Sequence, residues 1–402
     1  MKIVQAAITM AFVICWIFGF AAIAQSPDDS RPPRPLMLAH YMPWFVAKPV
    51  NQAWGFHWTM NQFNPDEFEP NAVGKGTQSV RQRSIASEYY PSIGPYDSSD
   101  VDVIEYHLLL MKVAGIDGVI VDWYGIQPCY DYPILHRNTT TLIDQANKMG
   151  MKFAICYEDQ TLGPLIEQGL VKESERVEHV ASEIAWLNKN WFSLDNYVRL
   201  GGKPAMLSFG NAGLSNEQWT ECIGRLTFPI AYFSEHHRRD GATGAFDWPI
   251  PGPGMDAVDR FYRDSPEWEA AIPVVFPRFV DFYGEAKVRE SYPDIEDADG
   301  ETFRVTLARA LASKAAFAQI ATWNDWGEGT VIEPSVEFGD RDLKHLQTQL
   351  LGQQADPTAL ALPGKLLEFR KSNGATKDEL DRVADWIGTG EYAKAKSWLR
   401  QR

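Results

Sequence analysis

Eight short apolar runs, alternating with stretches of helical spacing, constrain the fold of this chain more than any other feature. They fall at residues 36–44, 118–123, 152–157, 204–209, 229–233, 245–248, 272–276 and 317–323. Most contain few charged residues, as strands covered on both faces do. Between them, 100–114 places Val103, Ile104, Leu108 and Met111 at helical spacing, and 139–149 follows Asn138, a good N-cap. Residues 174–190 and 301–316 read as helices in the same way. Eight strands alternating with helices predict an α/β fold, the (β/α)8 TIM barrel. An open doubly wound sheet is the runner-up. That fold often carries a glycine-rich phosphate turn after an early strand, and this chain has none.

The ends of the chain depart from this repeat. Residues 1–24 read as a signal peptide. Lys2 supplies the positive start, 8–23 is almost wholly apolar, and Ala22-Ile23-Ala24 is a small-residue cleavage site. An uncleaved membrane anchor is the rival reading, and the short apolar run and small-residue exit both argue against it. The expected destination is secreted or periplasmic, without membrane insertion after cleavage. Residues 25–35 read as a linker, 36–340 as the barrel, and 341–402 as a C-terminal helical cap, where Leu343, Leu346, Leu350 and Leu351 mark the first helix. The formal charge of −15 makes nucleic acid and anionic membranes poor partners. Cys15 lies in the signal segment. That leaves Cys129, Cys156 and Cys222, an odd set that allows at most one disulfide within the chain. No Cys/His spacing resembles a zinc site, so neither metal nor cofactor is expected.

Barrel enzymes build their sites at the C-terminal ends of the strands. Several expected strands here end in residues that can carry chemistry: His40-Tyr41-Met42-Pro43-Trp44, Asp122-Trp123-Tyr124, Tyr157-Glu158-Asp159, Ser234-Glu235-His236 and Asp247-Trp248. The first is followed by a long loop, from Phe45 to about Asp97. Seven of the fourteen tryptophans sit at such ends or in that loop, where turn-forming alone predicts Gly, Pro, Asn and Ser. The last strand leads into Thr322-Trp323-Asn324-Asp325-Trp326-Gly327-Glu328-Gly329-Thr330-Val331-Ile332-Glu333-Pro334. Two carboxylates three residues apart, beside flat aromatic rings, are what glycoside chemistry asks for. One carboxyl protonates the leaving oxygen and the other works at or near the anomeric carbon. The same Asp-x-x-Glu can also be a plain helix start, with Asp325 as N-cap and Glu328 closing a capping box.

At these motifs the chain resembles glycoside hydrolases of families 71 and 99. Tyr41-Met42-Pro43-Trp44-Phe45, Trp54-Gly55-Phe56-His57-Trp58 and the stretch from Ile85 to Tyr96 resemble blocks of the family 99 endo-α-mannosidases. Ala114-Gly115-Ile116-Asp117-Gly118 through Tyr124 looks like that family's second-strand signature, and Gly329 to Pro334 like the tail of its last motif. Asp325 and Gly327 stand where family 99 has Glu and His, and Trp323 to Glu328 instead looks like the core of family 71 α-1,3-glucanases. The resemblance implies a hydrolase, endo-acting on an α-linked, mannan-like or glucan-like carbohydrate, with Glu328 as general acid and Asp325 as base. It leaves two routes open. In one the base draws a proton from the sugar 2-OH, which needs O2 trans to the leaving group, as in α-mannosides. In the other it activates water and inverts the anomeric centre. Tyr41, Trp123, Tyr124 and Glu158 would line the subsites. Trp44, His57, Trp58, Glu235, His236, Trp248 and Arg278 are further candidates, with Trp326 and Glu333 of the motif itself. His40 reads as structural. A catalytically inactive carbohydrate-binding barrel and a glycosyltransferase-like protein are the alternatives. The secretory signal argues against the second, because activated sugar donors are cytoplasmic.

Overall fold

A computed structural model describes residues 34–68, 82–372 and 374–401. Residues 1–24, read above as a signal peptide, the part of the expected linker up to residue 33 and part of the first long loop lie outside the described residues. Eight parallel strands form the barrel. They are β1 (Leu36–Tyr41), β2 (Gly118–Trp123), β3 (Lys152–Glu158), β4 (Lys203–Phe209), β5 (Ala231–Glu235), β6 (Gly244–Phe246), β7 (Ala270–Ile272, continued by Val274–Val275) and β8 (Phe317–Ile320). Each pairs with the next in sequence, and β8 returns to β1 with Leu36 beside Phe317. Pro273 interrupts β7 because it has no N–H to give. Its carbonyl still accepts from Gln319 at 3.0 Å, and Val275 pairs with Ile320, so the ring closes. Where β2 starts, a Cβ on Gly118 would lie 2.2 Å from the Lys152 carbonyl oxygen, so only glycine lets β2 and β3 meet there.

The pleat divides the core in two. Leu38, Ile120, Ala154, Cys156, Leu207, Phe233 and Phe246 fill the lumen. Their neighbours Met37, Ala39, Val119, Val121, Ile155, Met206 and Tyr232 pack outward against the helices. Alternate residues on one strand therefore belong to different cores.

Helices cover the outside. Val101–Ala114 starts at Asp100, whose side chain accepts from the Asp102 N–H, and ends at Gly115 in the left-handed region. The helix expected over 139–149 begins earlier, at Tyr132, with Pro133 in its first turn. Asn138 is therefore not a cap. It is buried within the helix, and its side-chain amide donates to the Pro43 carbonyl at 2.8 Å, tying the helix to the first loop. Glu301–Ala312 stops short of the expected 316, because the residues beyond it lead into β8. The chain continues into four helices, Arg341–Leu351, Leu362–Ser372, Lys377–Gly388 and Tyr392–Arg400. Their apolar faces, among them Leu346, Leu366 and Val383, join the outer core around Leu108 and Met111. Arg370 adds a two-pronged ion pair to Glu105, at 2.8 and 2.9 Å. No helix among the described residues is long and apolar enough to cross a membrane.

Candidate active site

The C-terminal mouth of the barrel holds a cavity of about 320 Å³. Its walls bring together Asp325 and Glu328 with Trp44, His57, Tyr124, Glu158 and Trp248 from the sequence-derived set. The loop after β8 carries the two carboxyls. The turn there has one element of a cap: Asp325 Oδ1 accepts the Glu328 N–H at 3.1 Å. It starts no helix, however, and Glu328 does not reach back. Its carboxylate instead accepts the Tyr283 hydroxyl at 3.2 Å. Asp325's own N–H goes to the Thr322 hydroxyl at 2.8 Å. Backbone bonds thus hold the turn while both carboxyls face the cavity. Gly327 leaves room for Met60, whose Cε would lie 3.0 Å from any Cβ there.

The other half of the motif is frame. Asn324 clasps the Met42 backbone, accepting its N–H at 2.8 Å and donating to its carbonyl at 3.0 Å. Trp326, named above as a sugar contact, is sealed from the cavity and donates to the Tyr96 hydroxyl at 3.3 Å. Glu333 is also sealed, 2.7 Å from the Tyr96 hydroxyl and 3.1 Å from His107 Nε2. Tyr41 joins the same network, 2.9 Å from His107 Nδ1.

Strand parity explains why Tyr41 and Trp123 do not line the cavity. Each points outward, and the residue before it, His40 or Asp122, points in. Trp123 packs among His136, Trp186 and Trp191, and donates to His136 at 3.2 Å. Trp58 packs on Phe45 and donates to the Tyr96 carbonyl at 2.7 Å, which buries it within the first loop. Glu235 accepts from the Gly210 N–H at 3.0 Å and pairs with His236 at 3.2 Å, off the cavity wall. Burial works against charge on His236, but Asp247 and Glu235 outweigh it and raise its pKa to about 9. Arg278 is locked between Asp297 at 3.0 Å and Asp342 at 2.9 Å, over the Phe338 ring.

Sequence reasoning missed His40, Asp122 and Tyr283 in the wall. An aspartate inside an apolar strand was the available signal for Asp122. Tyr283 comes from the loop after β7 and carries no pattern that marks it.

Four carboxyls, three buried and Glu328 partly buried, now face one cavity, and the described lining includes no Lys or Arg. Burial raises the pKa of Asp325, opposed by the N–H groups of Glu328 and Gly327. Burial and then the Asp325 charge push Glu328 higher still, with the Tyr283 hydroxyl pulling the other way. Asp122 is raised by burial and by Asp325, and Glu158 by burial and by Asp122. One carboxylate oxygen of Glu158, Oε1, is buried without a hydrogen-bond partner. Trp44 stacks on His57 with ring centres 4.2 Å apart, giving the cavity a flat aromatic side. Such a pocket can shuttle a proton between carboxyls of unequal acidity while an apolar ring face rests on an aromatic plane.

Known proteins resemble this chain in sequence and fold. The model of "Glycosyl hydrolase family 99" matches residues 35–169. Over that segment the chain is similar to glycosyl hydrolase family 99. A glycoprotein endo-alpha-1,2-mannosidase-like protein of Danio rerio is 22% identical over 63% of this chain and 60% of its own length. The mouse glycoprotein endo-alpha-1,2-mannosidase is 22% identical over 74% of this chain and 67% of its own. The chain thus spans about 60% of the length of the first of these relatives. The solved GH99 endo-alpha-mannosidase from Bacteroides thetaiotaomicron superposes with a TM-score of 0.57 at 18% identity, over 79% of this chain and 97% of that one. This shows the shared barrel fold. The matched family segment carries Trp44, His57, Asp122, Tyr124 and Glu158 but ends well before Asp325 and Glu328.

Proposed function

We propose that this chain is a glycosidase that cleaves within an α-linked, mannose-containing glycan, with Glu328 as general acid and Asp325 as base. The observation that carries the reading is the pairing of these two carboxyls in one cavity with unequal acidity. Asp325, accepting two backbone N–H bonds, ionises first. Glu328, facing that charge, keeps its proton for the leaving oxygen. Glu158 offers its unpartnered oxygen to a sugar hydroxyl, and Trp44 and Tyr124 offer ring faces. The mannose preference rests on the names of the relatives. On an α-mannoside, Asp325 removes the proton of the trans 2-OH, and O2 displaces the leaving group. A second reading, direct attack by water, is favoured by the short reach of aspartate.

Secretion through a cleaved 1–24 segment belongs to the same proposal, and N-terminal sequencing of the mature protein tests it. The decisive assay incubates the mature protein with α-mannan and α-1,3-glucan and follows oligosaccharide release. Wild type is expected to release products from mannan. Glu328→Gln and Asp325→Asn are each expected to lose roughly 10²–10⁴-fold of that rate. Release that survives both substitutions sinks the assignment of the pair. The configuration of the first-formed product, read by NMR, separates the routes: retention for the 2-OH route, inversion for water.

A further inference from the structure

Beneath the carboxyls lies a second cluster that the proposed reaction does not use as a unit. His40 on β1, Asp122 on β2 and Cys156 on β3 all point into the lumen. Asp122 and Cys156 are direct partners in the strand register, and His40 pairs with Ile120, two residues below Asp122 on the same face. A ring nitrogen of His40, a carboxylate oxygen of Asp122 and the Cys156 sulfur all lie within 4.8 Å of one another, and all three residues are buried. We propose that His40, Asp122 and Cys156 bind a divalent cation of the zinc class at the floor of the cavity.

The hydrogen bonds around His40 argue for this. Gln319 donates its amide N–H to the Asp247 carbonyl at 2.5 Å. Its amide oxygen is therefore the atom that faces His40 Nδ1 at 3.2 Å, and it must accept there. The proton sits on Nδ1, so Nε2 carries the free lone pair. A histidine held by its second nitrogen in this way is set up as a metal ligand. Trp248 fixes the ring further with an edge contact at 4.8 Å between centroids. Imidazole, carboxylate and thiolate together suit zinc and its neighbours rather than magnesium or calcium. Ligand bonds of about 2.0–2.3 Å require the three side chains to close in by about 1 Å or less. His40 and Asp122 also border the cavity, so a fourth coordination position faces it. Three protein ligands with one open position is the arrangement of zinc sites that take up water or substrate oxygen. Cys156 binds as thiolate and releases its proton to solvent. The site stands whether or not the glycosidase reading does.

The test uses the full chain, stripped with chelator and titrated with Co²⁺ and Zn²⁺. A near-ultraviolet sulfur-to-cobalt charge-transfer band that saturates at one ion per chain is the expected result. Cys156→Ser should abolish the band, while Cys129→Ser keeps it. Gln319→Leu, which leaves all three ligands in place, should weaken Co²⁺ binding about 10–100-fold. It also serves if Cys156→Ser does not fold. No band and no stoichiometric ion in the wild type overturns the proposal. So does a band that persists in Cys156→Ser, or Co²⁺ affinity unchanged in Gln319→Leu.

Discussion

On the lumen side of β1 and β2, His40 and Asp122 look into a cavity where buried carboxyls raise one another's pKa. One residue further along each strand, on the helix side, Tyr41 and Trp123 sit among matched partners. There Tyr41, His107, Glu333 and Tyr96 form a run of hydrogen bonds with no exposed member. The two sides share a backbone, yet one stores electrostatic stress and the other supplies rigidity. A substitution at neighbouring positions should therefore damage different properties: catalysis on the lumen side, stability on the helix side.

The largest expected effect is on the helix side. Glu333→Ala leaves His107 and Tyr96 buried without their acceptor. It is expected to cost on the order of 3–5 kcal/mol in a chemical denaturation curve. A stability close to wild type would break the comparison at its strongest point. Next come two tryptophans. Trp44→Ala removes a ring from the cavity and should raise KM about tenfold, equivalent to about 1.4 kcal/mol. Trp123→Phe removes the bond to His136 and should lower stability by about 1–2 kcal/mol with KM unmoved. An exchange of these two outcomes would mean that the sides are wrongly assigned.

The smallest effect is a shift in pH dependence. The base must be ionised and the acid protonated. Activity should therefore rise as Asp325 loses its proton near pH 7 and fall as Glu328 does so near pH 8. The Tyr283 hydroxyl stabilises ionised Glu328, so Tyr283→Phe should move the alkaline limb upward by a fraction of a pH unit. A downward move contradicts the role given to that bond.

Most of the barrel was legible because strands buried on both faces leave continuous apolar runs, and all eight runs carry a strand. The same continuity hides which side of a strand faces inward. With hydrophobic residues on both sides, the period-two signal vanishes, and Trp123 looks as much a site residue as Asp122. The carboxyls at 325 and 328 stood out because they follow the last strand and lie close together in sequence. Trp326 and Glu333 stood out for the same reason, although they face the frame. His40, Asp122 and Cys156 come from three strands, so no spacing along the chain joins them. The Asn138 cap failed because a proline upstream had already opened the helix.

The three described cysteines, Cys129, Cys156 and Cys222, are all free and all buried. Among the described residues the fold closes over them without forming a disulfide. Refolding from denaturant should therefore need no oxidant or shuffling catalyst, and a reducing buffer should protect the yield by keeping the exposed thiols of the unfolded chain from pairing wrongly.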